Sequence, residues 1–141
     1  MPNPAKIPYN KTNLRRVIAS IKRNLTSDLL PRKWVALNEK NTMFGHCHTA
    51  SGCLYKIFGA NHMHLYRSYD DSCKLVDEGM YHWWAIDTDG NLIDITASQY
   101  SKHPRLLKSL YRVGTKSGVL GFAYKQRVNT LLSRVTKDLG I

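Results

Sequence analysis

No stretch of this chain is apolar for more than a few residues, so nothing approaches the roughly 20 residues that a membrane-spanning helix requires. The opening, MPNPAKIPYNK, is basic but has no apolar segment behind it, which argues against a secretory signal. Cysteine is scarce and odd in number: Cys47, Cys53 and Cys73 cannot form a closed disulfide framework. Internal repeats and low-complexity tracts are lacking as well. Together these absences predict a soluble, non-exported protein of the reducing cytoplasm, where a cysteine is free to act as a thiol.

Acidic residues are also few, with 10 Asp and Glu against 21 Lys and Arg, for a net charge of +11. The imbalance is unevenly placed. Residues 1–40 hold nine basic and two acidic side chains, 41–101 hold three and seven, and 102–141 hold nine and one. Two basic flanks therefore enclose a locally acidic centre. Such flanks suit an anionic partner, nucleic acid or acidic protein, through counterion release; they equally suit a solvated basic surface.

What is present fits one domain with one core, since 141 residues with 43% hydrophobic content leave little room for two. Residues 1–12 contain three prolines and no periodicity, and read as an irregular arm before a single domain over 13–141. From Asn13 as N-cap, Leu14, Val17, Ile18, Ile21 and Leu25 follow helical spacing. Leu29–Pro31 breaks this helix. A second helix is expected from Cys47 to Phe58, stopped by Gly59, with Ala50, Cys53, Leu54 and Ile57 as its buried stripe. His62–Tyr69 reads as a strand, Asp70–Lys74 as a loop and Leu75–Val76 as a short strand. Tyr81–Ile86 and Asn91–Thr96 flank Asp87-Thr88-Asp89-Gly90, a hairpin signal. Arg105–Val113 is a short basic helix, Gly114–Gly121 a turn, and Tyr124 to Leu139 a final helix. This order predicts an α+β fold with an antiparallel sheet.

Chemistry enters at Cys47. A thiol nucleophile works as thiolate, which a helix start and a neighbouring histidine favour. On a helical wheel Cys47 lies at one edge of the buried stripe, partly shielded but reachable, whereas Cys53 points into the core. If Thr88-Asp89-Gly90 is a three-residue loop with Gly90 left-handed, Asp87 faces Asn91 and Trp84 faces Asp94. His82 then shares a strand face with Asp94 as its diagonal neighbour. A two-residue loop would put them on opposite faces. In the first arrangement Asp94 holds one imidazole nitrogen while the other takes the Cys47 proton.

The segment Asn41-Thr42-Met43-Phe44-Gly45-His46-Cys47-His48-Thr49-Ala50, with His82-Trp83-Trp84, Asp89-Gly90 and Asp94-Ile95-Thr96-Ala97-Ser98-Gln99, resembles the YunG-like family of uncharacterised bacterial and phage proteins. That family is similar to the papain and transglutaminase superfamily of cysteine enzymes. The closing Lys125-Gln126-Arg127-Val128-Asn129 and onward to Val135 looks like its terminal helix, so the resemblance spans roughly residues 34–135. It implies a papain/transglutaminase-like core, a Cys47 nucleophile, a His82 base, an Asp94 orienting acid and a protein or peptide-like substrate. Asn41 occupies the place of the papain-like oxyanion donor. His46 stands where the family usually has a glutamine, so positions 41 and 46 are both oxyanion candidates.

The neighbouring His46, Cys47, His48 and Cys53, followed by His62, His64 and His82, raise the question of a metal. Zinc sites favour separated Cys-x₂₋₄-Cys pairs with a matching second pair, and none is present. No metal or cofactor is therefore expected. The leading expectation is a cysteine hydrolase or acyltransferase. The alternative is a catalytically silent binding module or phage-borne inhibitor that uses its basic flanks.

Overall fold

Two asparagines three residues apart, Asn10 and Asn13, compete to start the first helix, and backbone shape decides between them. In the computed structural model, which describes residues 7–71, 80–117 and 122–141, Asn10 is extended and its side chain accepts from the Asn13 amide at 2.8 Å. Helix α1 is therefore Lys11–Asn24, three residues longer at its start than the sequence suggested, and Asn13 donates its side-chain amide back to the Pro8 carbonyl. The residues just before α1 are docked. Tyr9 stacks over His62, meets Phe58 edge-on, and donates to Asp87 Oδ2 at 2.8 Å.

After single 3₁₀ turns at Ser27–Leu29 and Arg32–Trp34 come α2 (Val35–Lys40) and α3 (Cys47–Phe58). The strands are β1 (Met63–Asp70), β2 (Met80–Asp87), β3 (Leu92–Ile93) and β4 (Thr115–Ser117), with a 3₁₀ turn at Ala97–Tyr100 and α4 (Pro104–Val113) before β4. Helix α5 (Phe122–Leu139) closes the chain. The expected α+β class holds: the described strands form one antiparallel sheet in the order β3-β2-β1-β4. Cys73 and the expected Leu75–Val76 strand lie outside the described residues.

Helix α3 begins and ends where its sequence predicts, but its burial is not one-sided. Every residue from Cys47 to Leu54 is buried, because α3 touches β1 and β2 as well as α1 and α5. Helices enclosed in this way lose the polar face that a surface helix keeps, and Ser51 and Gly52 are small enough to let neighbours approach. Val17 and Ile21 of α1, Leu54 of α3, Leu65 and Ala85 of the sheet, and Leu131, Leu132 and Val135 of α5 make the principal core. The other sheet face carries Tyr66, Ser68, His82 and Trp84, paired in register as Tyr66 with Trp84 and Ser68 with His82. Helix α4 and the Ala97–Tyr100 turn cover it, contributing Tyr100, Leu110 and Tyr111.

Two short strands depart from expectation, each for a reason too local to read from composition. Thr115–Ser117, expected in a turn, pairs with Leu65–Arg67 and completes the edge of β1. Asn91–Thr96, expected as a strand, pairs only through Leu92 and Ile93 with Ile86 and Ala85. From Asp94 onward the chain leaves the ladder, and the first part of β2, including Tyr81 and His82, has no β3 neighbour.

The hairpin turn itself is the three-residue type. Asp87 and Asn91 are joined by a backbone bond of 3.0 Å, Gly90 donates to the Asp87 carbonyl, and Gly90 has φ +84°. The Asp87 carboxylate adds bonds from the Asp89 and Asn91 amides at 3.0 and 2.8 Å. An added Cβ at Gly90 would meet nothing within 4 Å, so only backbone conformation disfavours other residues there. Gly90→Val is expected to cost about 1–2 kcal/mol and Gly90→Asn a fraction of that, because asparagine tolerates the left-handed region. Urea denaturation of the two variants checks the ordering.

Candidate active site

The segment leading to Cys47 is fastened by Asn38, whose side-chain amide donates to the Thr42 and Phe44 carbonyls at 2.9 and 3.0 Å. This delivers Cys47 as the first residue of α3, where the orphan amides of the first turn leave partial positive charge beside the sulfur. Its Sγ lies 3.4 Å from the carbonyl oxygen of Tyr81, on the part of β2 that β3 has left. Cys47 is only 3% exposed, more enclosed than a position at the edge of a stripe would be. Cys53 is fully buried, and desolvation pushes its thiol up to about 12.

His82 and Asp94 meet as the turn register requires. Ala85 pairs with Ile93, which sets Trp84 opposite Asp94 and puts His82 on the same face. The His82 Nε2 to Asp94 Oδ2 distance is 2.6 Å, and the two side chains are 0% and 2% exposed. Desolvation alone would drive so buried an imidazole toward its neutral form. Hydrogen bonds to Asp94 and Cys47, with the charges of both, outweigh that effect and raise His82 to about 9. The favoured species is an imidazolium held by the Asp94 carboxylate on Nε2.

Two further side chains complete the site, and sequence reasoning did not assign a role to either. Gln99, in the Ala97–Tyr100 turn, brings its side-chain Nε2 within 2.9 Å of His82 Nδ1. Tyr111, on α4, donates to Asp94 Oδ2 at 2.5 Å. Burial first and then Asp94 push the Tyr111 hydroxyl above its ordinary value, so it keeps its proton and serves as a donor. Gln99 sits five residues beyond Asp94 within the quoted family segment, which was the available signal; Tyr111 had none. Aromatic rings wall the imidazole, with Trp84 stacked at 5.7 Å and Tyr100 edge-on at 4.9 Å.

Of the two oxyanion candidates, Asn41 is engaged elsewhere: its side-chain amide donates to the Gln99 backbone carbonyl at 3.0 Å. It thereby anchors the turn that presents Gln99. His46 is fully buried with neither ring nitrogen bonded among the described residues, and desolvation lowers it to about 4 despite the opposing field of Asp28. No hydrogen bond joins it to Cys47, His82 or Asp94. No group of three or more potential metal ligands occurs among the described residues, and no helix among them is long and apolar enough to cross a membrane. No family model, no curated protein and no solved structure matches the chain.

Proposed function

We propose that the protein is a cysteine-dependent enzyme that cleaves or transfers an acyl group, with Cys47 as nucleophile, His82 as acid–base and Asp94 as the group that orients it. The observation that carries this reading is the buried His82–Asp94 pair, joined through Nε2 at 2.6 Å, on the strand whose Tyr81 carbonyl lies 3.4 Å from the sulfur of Cys47 at the start of α3. A helix bearing the cysteine beside an antiparallel sheet bearing the histidine and the acid is also the layout that a papain/transglutaminase-like core would have.

In the proposed reaction the Cys47 proton resides on His82 Nδ1, and the thiolate adds to the carbonyl carbon of an amide, isopeptide or thioester. The Cys47 backbone N–H, free of an intrahelical partner at the helix start, is the donor best set to receive the developing oxyanion. Collapse breaks the bond to the leaving group, which takes the proton from His82. Water or an amine then attacks the thioester and gives a proton to His82, and breaking of the C–S bond releases product with Cys47 as thiolate beside the imidazolium, the starting state. Asp94 holds the ring through Nε2, as the carboxylate does in serine triads.

Gln99 acts as a positioning residue in this scheme. Its N–H donates to Nδ1 when that nitrogen is unprotonated, and its Oε1, unbonded among the described residues, becomes the acceptor for Nδ1–H if the amide turns over. One side chain can thus serve both protonation states of His82.

The test is alkylation of the full chain by iodoacetamide across pH, read by peptide mass spectrometry, in wild type and His82→Ala. Cys47 is expected to label ahead of Cys53, whose thiol is held in its neutral form by burial, and to label more slowly in the variant. Equal labelling of the two thiols, or a Cys47 profile unmoved by His82→Ala, would remove the triad.

A further inference from the structure

Next to Cys47, the end of the sheet carries aromatic and cationic side chains on the face that packs toward α3. Tyr69 stands opposite Tyr81 and Arg67 opposite Trp83. The two tyrosine rings meet at 5.2 Å and the residues are 48% and 44% exposed. The Arg67 guanidinium lies 4.5 Å over the Tyr81 ring and 5.6 Å from that of Trp83. Continuity with the nucleophile comes from both sides: the Tyr81 carbonyl is 3.4 Å from Cys47 Sγ, and His48, the next residue, sets its ring 4.6 Å from Trp83.

Among the described residues no carboxylate pairs with Arg67. The ion pairs among the described residues are Arg23 with Asp138, Arg134 with Asp28, and His82 with Asp94. A guanidinium placed over rings, which offer no acceptor lone pair, keeps N–H donors available for a carboxylate. The local field is also positive. Behind burial, Arg127 and Arg67 both depress His48, which falls to about 4, so the ring beside Cys47 stays neutral and brings no competing proton.

Resting on the acyl-transfer reading above, we infer that Arg67, seated on Tyr81 and Trp83, is the anion subsite of this enzyme, and that its substrate carries a carboxylate within reach of the carbonyl that Cys47 attacks. The acidic group would pair with the guanidinium edge while its apolar part lies on the exposed Tyr69 and Tyr81 rings. Charge complementarity thereby selects among acyl groups that a thiolate alone would not distinguish.

Two alkylating agents of nearly equal size test this without a known substrate. Iodoacetate carries a carboxylate and iodoacetamide does not, and both displace iodide at the Cys47 sulfur. Rates at Cys47 are measured on the full chain at neutral pH, each divided by the rate of the same reagent with free cysteine. Wild type is expected to favour iodoacetate. Arg67→Gln should slow iodoacetate about fivefold, the scale of one charge acting on another across a partly hydrated gap, and leave iodoacetamide unchanged. Arg67→Lys should keep much of the preference. An unchanged iodoacetamide rate also certifies that the variant folds and that the nucleophile is intact. If Arg67→Gln leaves the ratio of the two reagents as in wild type while Cys47 still reacts, the subsite is wrong and the acyl-transfer reading stands. If Cys47 of the wild type reacts with neither reagent, both fall together.

Discussion

Asp94→Ala is expected to destabilise the protein by about 3–5 kcal/mol, the usual result of removing one partner from a buried charged pair. His82 would be left fully buried with nothing on Nε2, and the Tyr111 hydroxyl would lose its acceptor at the same time. Under the proposed triad, Cys47 labelling should fall with it, because Asp94 no longer favours the His82 imidazolium. Asp94→Asn is the informative control. Its amide oxygen can still accept from Nε2–H, so geometry survives while the negative charge does not.

The same pair gives wild-type stability a pH dependence whose sign follows from His82. Its folded value of about 9 lies above the ordinary 6.5, so the folded state binds the proton more tightly than the unfolded chain does. The stabilisation is fully present below about 6.5 and is lost as pH rises toward 9. Chemical denaturation at several pH values should show that decline in wild type and a smaller one in Asp94→Asn, since the Asp94 charge is one of the causes of the shift. A decline of equal size in both would mean that Asp94 does not hold the His82 proton.

Gly114→Ala carries the second large expected effect, and it arises from close approach, not from backbone conformation. Gly114 follows α4 with φ −61° and ψ 145°, which any residue adopts. An added Cβ would nevertheless stand 2.3 and 2.4 Å from two ring carbons of Trp84. Trp84 is a fully buried, rigid ring that stacks on His82 at 5.7 Å and meets Tyr111 at 5.1 Å, so it cannot yield without moving the site. Overpacking of this kind costs about 1–3 kcal/mol, and alkylation of Cys47 should slow as well. Gly114→Ala combined with Trp84→Phe, which removes the obstructing ring atoms, should be less destabilised than the sum of the single changes. Strict additivity in that double-mutant cycle would refute the contact as the cause.

How much of the site was readable depended on the range over which its parts interact. The hairpin is local: Gly90 needs the left-handed region, the turn type fixes the register, and the register puts His82 and Asp94 on one face. That relation follows from strand parity within thirteen residues, so the sequence contains it. The limits of α3, and hence Cys47 at its start, were equally local. Other local choices were harder to make. Asn10 and Asn13 offer the same cap chemistry, and three residues of β4 are too few to show alternation.

Sequence therefore determined the α+β class, the helix that carries Cys47, and the alignment of His82 with Asp94, because each depends on spacing along a single element or hairpin. Tertiary structure alone decided what surrounds them. Enclosure of α3 by both sheet and helices buries Cys47 more deeply than its wheel position implied. Gln99 and Tyr111 reach His82 and Asp94 only because the chain leaves β3 at Asp94 and returns across the sheet as a turn and α4. Asn41 bonds the Gln99 backbone, and Arg67 finds its two rings, through pairings between segments remote in sequence. Such contacts follow from packing of preformed elements against one another, which leaves no periodicity or fixed spacing in the chain to announce it.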